Sequence, residues 1–232
     1  AETGLDERVE WSVVPAAEGL NTPEQRAEAL LRHLRERKSP RYLFDLQDRE
    51  PAVAAVRAEQ PEAVEELLKD AEEILRSEDA HMAQWWGVRL HFLQKLAAAH
   101  VLSEEDRFVT GGLSLLERWA AATPEYSDSR IRSANFNSLS FACRIKSMLL
   151  FLAATRDAAV WTPASMGRFL HTLWDHAASL DFRPDAHWHW HNIYFSSVIA
   201  RYAFALYLPE FKDSARWQRS EEHTSELQSL LI

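Results

Sequence analysis

Apolar residues recur along this chain at spacings of three and four, and almost nowhere at two. Ala27, Leu30, Leu31 and Leu34 follow Thr22-Pro23-Glu24-Gln25, a cap residue with proline and acids in the first turn. That pattern predicts a helix ending before Ser39-Pro40, because the residue preceding a proline is turned away from helical geometry. Residues 48–59 suit a short helix with Pro51 in its first turn. Pro61 opens another, with Val64, Leu67, Leu68, Ala71, Ile74 and Leu75 on one face. Further helices are predicted over 83–101, from 103 to Pro124, over 137–154, from Pro163 to about 180, and over 193–208, where Pro209 stops the run. Residues 41–44 (RYLF) are the one convincing extended piece. Residues 125–136 and 181–185 read as loops, and residues 1–21 as an extended lead-in.

Seven to nine helices joined by short loops imply antiparallel neighbours. No motif repeats at a fixed period, so a signature solenoid is not supported. An irregular bundle and an α/α toroid, in which hairpins close a ring around a cleft, both fit.

Composition narrows the possibilities. Six glycines in 232 residues argue against phosphate-cradling loops and turn-rich β architectures. The single cysteine, Cys143, excludes an internal disulfide and reads as a small core residue. No apolar run approaches the roughly 18–20 residues that span a bilayer, so no membrane span is expected. A net charge of −9 argues against a nucleic-acid partner. No nucleophile elbow, zinc-protease or nucleotide-loop motif is present.

Residues 219–229 (RSEEHTSELQS) resemble the conceptual translation of a sequencing adapter. Residues 219–232 are therefore expected to be non-native. The reading frame is then expected to continue naturally beyond Gln218. The division is a lead-in over 1–21, a helical domain over 22–218 and the tail.

The densest chemistry lies in residues 185–192 (DAHWHWHN). Three readings are open. As a strand, His187, His189 and His191 share one face and suit a metal-dependent hydrolase. As structure, Asn192 caps the next helix and the aromatics pack. As a saccharide cleft, Trp188 and Trp190 stack on sugar rings while His189, His191 and Asn192 bind polar groups. Trp85, Trp86 and Arg89 place indole and guanidinium one helical turn apart. Arg144 sits in an apolar run beside Lys146, and a buried cation needs a partner.

Four segments carry a resemblance. They are PRYLFDLQDRE with AEEIL after it; WWGVRLHFLQKLAAAHVLSEEDRFVTGGLSLLERWAAATP; FNSLSFACRIKSML; and HNIYFSSVIARYAFALYLPEFKDSARW. In order, they resemble the N-terminal helical domain of heparinase II/III-like polysaccharide lyases, over most of residues 25–218. The resemblance implies an all-α, incomplete α/α toroid of antiparallel hairpins, normally followed by a β-sandwich. It implies cleavage of uronic-acid polysaccharides by β-elimination, no cofactor, and a periplasmic or secreted full-length protein. It assigns Asn192 to neutralising the uronate carboxylate and Arg144 to the cleft. It places a catalytic tyrosine and a sandwich histidine beyond Gln218, so the chain alone is expected to be inactive. The family's Asn is often followed by His or Trp. Here Ile193 follows and His191 precedes. A non-catalytic glycan-binding toroid is the competing expectation.

Overall fold

The computed structural model describes residues 4–38, 49–77, 89–122, 138–182 and 192–219. Among these, eight α-helices follow one another: α1 (Pro23–Glu36), α2 (Glu50–Glu59), α3 (Pro61–Arg76), α4 (His91–Ser103), α5 (Arg107–Ala122), α6 (Ser138–Thr155), α7 (Pro163–Ser179) and α8 (Asn192–Tyr207). Three short 3-10 turns accompany them (Trp11–Val13, Pro15–Ala17, Leu180–Phe182), and no strand pairing beyond one isolated bridge occurs among the described residues. The all-α expectation holds.

Local chemistry sets the helix ends. Thr22 Oγ1 accepts from the Gln25 amide to cap α1, and Thr162 and Ser165 form a reciprocal capping box on α7. The boundary between α4 and α5 falls differently from the sequence reading. Ser103 closes α4 instead of opening the next helix, and Glu104 takes a left-handed conformation with φ 62°. The Ser103 hydroxyl donates to the Ala99 carbonyl and accepts from the Glu105 amide, so it serves the helix end. Residues 83–88 of the long helix expected over 83–101, the extended piece 41–44 and the loop 125–136 lie outside the described residues.

Helix α6 is the centre. It packs most extensively on α8, then on α4 and α7. Fourteen of its 18 residues are buried. This corrects one expectation: by length and mean hydropathy, 1.3, α6 is apolar enough to cross a membrane. It is instead a core helix, 78% buried in protein. Its apolarity all round is what full burial demands.

The lead-in is not a free extended arm. Leu5, Val9, Val14 and Ala17 are buried in the common core. Val9 bridges Phe211, and backbone bonds join Glu10 N to Glu210 O (2.7 Å) and Lys212 N to Arg8 O (2.9 Å). The lead-in is thereby strapped to the PEFKDSARW segment that follows α8. Within that segment Glu210 is buried at 2% exposure, receives His33 Nε2 at 2.8 Å and pairs with Arg37, whose Nη2 donates to the Tyr207 carbonyl at 2.5 Å. Trp217 is fully buried against Phe204, and its indole N–H donates to the Asp181 carboxylate at 3.0 Å. Asp181 also pairs with Arg201 and Arg216.

One face of α8 stays uncovered among the described residues. Phe195, Ile199 and Leu206 are each more than two-fifths exposed. At about 100° per residue they fall within about 40° of arc.

Two predictions follow from this packing. An ideal Cβ on Gly112 would stand 2.8 Å from the Phe151 ring. Phe151 is wedged against Trp161 and Phe169 and cannot yield. Gly112→Ala should therefore destabilise the fold by about 1–2 kcal/mol, overpacking outweighing about 1 kcal/mol of helix propensity. A denaturant midpoint at or above wild type refutes this. At Glu210, burial opposes ionisation, but the hydrogen bond from His33 and the charge of Arg37 outweigh it, and its carboxyl is held below the ordinary value. A depressed folded pKa stabilises fully above the unfolded value and loses that contribution as pH falls through the acid range. Arg37→Met should cost about 3–5 kcal/mol at neutral pH, by stranding the buried carboxylate, and the deficit should shrink in melts taken at acid pH.

Candidate functional site

The predicted site residues fall into two groups. Trp85, Trp86, Trp188, His189, Trp190 and His191 lie outside the described residues, as does His187. Asn192, Arg144 and Arg89 lie within them. Among the described residues no group of three His, Cys, Asp or Glu side chains stands close enough to hold a metal.

Asn192 is the first residue of α8, and α8 packs along α6. Arg89 lies just ahead of α4, which also packs on α6. Its carbonyl accepts from the Ser147 hydroxyl at 3.2 Å, while Gln94 Nε2 donates to the same hydroxyl at 2.9 Å. Between them, buried Leu90 holds a left-handed φ of 57°, a conformation that costs a branched side chain free energy. This turn starts α4 directly against the middle of α6. The helix that begins at Asn192 and the one that follows Arg89 are thus held by a common partner.

Arg144 sits inside the core at 1% exposure. Its guanidinium carbon lies 4.9 Å from the Trp119 ring centre and 5.2 Å from that of Phe141. His176 completes the box, 5.9 Å from Trp119 and 5.2 Å from Phe141. The Thr172 carbonyl lies 2.7 Å from His176 Nδ1. A carbonyl only accepts, so Nδ1 carries a proton. Cation–π contacts are worth most where water is excluded. Here they join α5 to α6 around one buried charge, and α7 meets the same two rings through His176. The sequence showed Arg144 as a charge in an apolar run. It gave no sign of His176, because the partners meet only across three helices.

His91, the first residue of α4, adds a feature the sequence reading missed. Its imidazole is held below the ordinary value by burial first, then by the charges of Arg89 and Lys146. Arg89 ahead of α4, His91 at its start and Lys146 on α6 thus share one electrostatic neighbourhood, which favours the neutral imidazole. The sequence signal was the Arg-Leu-His spacing of residues 89–91, unreadable without α6 and Lys146 alongside. An acidic ligand group there would stabilise the imidazolium and draw the titration back up.

A surface depression of about 420 Å³ lies elsewhere, between α3 and α5, lined by Leu75, Thr110, Gly111, Ser114 and two arginines. It contains none of the predicted residues. One of its arginines, Arg107, is committed to Glu72 and Glu105.

Comparison with known proteins bears on this arrangement. A model of the heparinase II/III N-terminus matches residues 13–228. A crystal structure of heparinase III aligns with a TM-score of 0.72 and 16% identity, over 98% of this chain and 38% of that one. A mutant of the heparan sulfate lyase HepC from Pedobacter heparinus aligns with a TM-score of 0.75 and 16% identity, over 98% of this chain and 39% of that one. The chain thus spans under two-fifths of the length of these structures. Among curated proteins, none matches it.

The electrostatic neighbourhood is testable by itself. In proton-resolved titrations His91 should ionise below the ordinary imidazole range. Lys146→Met, by removing one of two neighbouring cations, should move that midpoint upward. An unchanged midpoint refutes the coupling.

Proposed function

The chain belongs to the heparinase II/III N-terminal family, and from that footing we propose that it is the toroid part of a polysaccharide lyase acting on uronic-acid glycans. The observation that supports the substrate class is the placing of the Arg89 and Lys146 charges close enough to His91 to lower its pKa, in addition to the larger effect of its burial. An overall acidic protein needs such a local reversal of sign to receive an acidic chain.

The chemistry demanded is β-elimination. The C5 proton of a uronate lies α to a carboxylate and is weakly acidic. A catalyst must neutralise that carboxylate, remove the proton and protonate the leaving oxygen. In this reading Asn192 donates to the carboxylate from the first turn of α8. The same reading gives Trp188, Trp190, His189, His191, Trp85, Trp86 and Arg89 the task of binding the glycan. Arg144 supports the cleft from within the core by holding α5, α6 and α7 together. The proton-transferring tyrosine and a histidine from a β-sandwich belong to further chain, absent from residues 1–218. The partial coverage of the solved structures supports that reading, as does the apolar stripe of Phe195, Ile199 and Leu206, which suits burial beneath further helices. A periplasmic or secreted site of action belongs to the same proposal.

One observation favours a second reading. Ile193 follows Asn192 where the family often has His or Trp, as suits a toroid that binds glycan without cleaving it.

The product of elimination carries a C4–C5 double bond, so ultraviolet absorbance reports turnover directly. The chain alone should bind a uronic-acid polymer in preference to a neutral glucan and release no chromophore. Arg89→Met should weaken that binding about tenfold, the worth of one charged hydrogen bond. In the chain completed by its downstream region the chromophore should appear, and Asn192→Ala should slow its formation about 10²–10³-fold. Binding without chromophore in the completed protein leaves the scaffold reading. Equal affinity for the neutral glucan overturns both.

A further inference from the structure

Helix α7 presents His171, Trp174 and Asp175 to the lead-in, and all three meet Arg8. The Arg8 guanidinium lies 4.0 Å over the Trp174 ring, and its Nη2 stands 3.4 Å from Asp175 Oδ1. Its Nη1 bonds to Nδ1 of His171. On the far side of the ring, His171 Nε2 stands 3.2 Å from Asp175 Oδ2. These contacts fix the state of the imidazole. A guanidinium has only protons to offer, so Nδ1 must accept. The single ring proton is then on Nε2, donated to Asp175. The Arg8 contact requires a neutral His171.

The ring is half-buried, and what surrounds it is selective. Arg8 and Asp175 are the charges that act on it. Burial is the largest influence and favours the neutral form, Asp175 favours the charged form and Arg8 opposes it. Burial likewise raises the Asp175 carboxyl, against the pull of His171 and Arg8. Other charged groups nearby are engaged elsewhere. Arg26 of α1 pairs with Asp6. Asp213, after α8, accepts from the Trp174 indole. The Lys212 ammonium donates to the Glu7 carbonyl. A Cβ built on Gly4, whose φ is +63°, would stand 3.5 Å from the His171 ring, so the first described residue of the lead-in is close to this side chain.

We propose that His171 is a proton-operated release for the N-terminal strap: one proton taken from solvent onto Nδ1 expels Arg8 and frees residues 4–8 from α7. The new N–H would face the N–H groups of Arg8, where a bond had been. The imidazolium keeps its ion pair with Asp175 one turn away on its own helix, so the carboxylate that held Arg8 is retained by His171. The freed stretch is short. Glu10 stays joined to Glu210 through the backbone, and Val14 and Ala17 stay buried. Acid thereby loosens the outer end of the strap while its base remains seated beside the segment after α8. The sign agrees with linkage. A histidine held neutral by the fold stabilises the docked form at high pH and ceases to do so as pH falls below the free imidazole range.

Amide hydrogen exchange on the full chain reads this directly. The Arg8 and Val9 amides donate to the Leu5 carbonyl and protect only while the strap is docked. After correction for intrinsic rates, their exchange should accelerate by up to about tenfold per pH unit below the free imidazole range. Ile145, Met148 and Leu149 in α6 should keep their protection. In His171→Asn, whose amide oxygen supplies an acceptor for Arg8 without titrating, the acceleration should vanish. In Asp175→Asn, which removes the anion that receives the imidazolium, the step should move to lower pH. Three results overturn the proposal: strap exchange independent of pH in the wild type, the same acceleration in His171→Asn, or a loss of protection shared equally by α6. A step unmoved in Asp175→Asn overturns the role of the carboxylate.

Discussion

Everything in this fold answers to one demand: helix α6 must be covered on every side. Fourteen of its 18 residues are buried, including Arg144. A helix with no polar face has no stable place at a surface, so its neighbours are arranged by what it needs. α8, α4 and α7 supply the cover. Small residues allow close approach, with Ser140 and Ser147 buried on α6 and Gly112 on α5 turned to Phe151. The single charge within the buried surface is met by aromatic faces from α5 and α6, beside a histidine from α7. Arg144 therefore fixes the registry of three helices as well as carrying charge.

The same demand explains why the ends of the domain meet. The segment after α8 is rich in polar residues, yet Glu210, Ser214 and Trp217 are buried. Buried polar groups have to be paired. Their partners come from α1, from the turn after α7 and from the lead-in: His33 and Arg37 on Glu210, Asp181 on Trp217, and the backbone of residues 8–10 on residues 210–212. The strap and the closing segment are each incomplete alone. Breaking one exposes unsatisfied groups on the other, which couples two points about two hundred residues apart in sequence.

The candidate site inherits its geometry from α6 too. His91, with Arg89 just ahead of it, and Asn192 stand at the starts of two helices that both pack on α6. Lys146, on α6 itself, adds its charge to the α4 side. An acidic chain of −9 overall can carry a local positive field only where basic residues from different helices are brought together. The proposed function supplies a uronate glycan as the occupant of that field and gives Asn192 its proposed task.

The helices were legible because their signals are local. Thr22-Pro23, Pro61, Thr162-Pro163 and Pro209 mark ends through backbone sterics that act within a few residues, and the apolar spacing shows which faces are buried. The family too was readable, since its motifs run in order along the chain. The end of α4 was misplaced because Ser103 can serve either terminus of a helix, and only the left-handed Glu104 decides between them. The lead-in looked extended because its anchors, Arg8 on α7 and Val9 on Phe211, are more than 150 residues away. Arg144 could be recognised as a charge requiring a partner, but not as the occupant of a Trp119–Phe141–His176 box. The sequence by itself determined the helices, their buried faces and the family they belong to, because propensity, periodicity and motif order are properties of neighbours in the chain. Only the tertiary structure decided which charges are buried, which histidines stay neutral and what holds the two ends together. Desolvation and Coulombic pairing depend on distance in space, and no spacing along the chain records it.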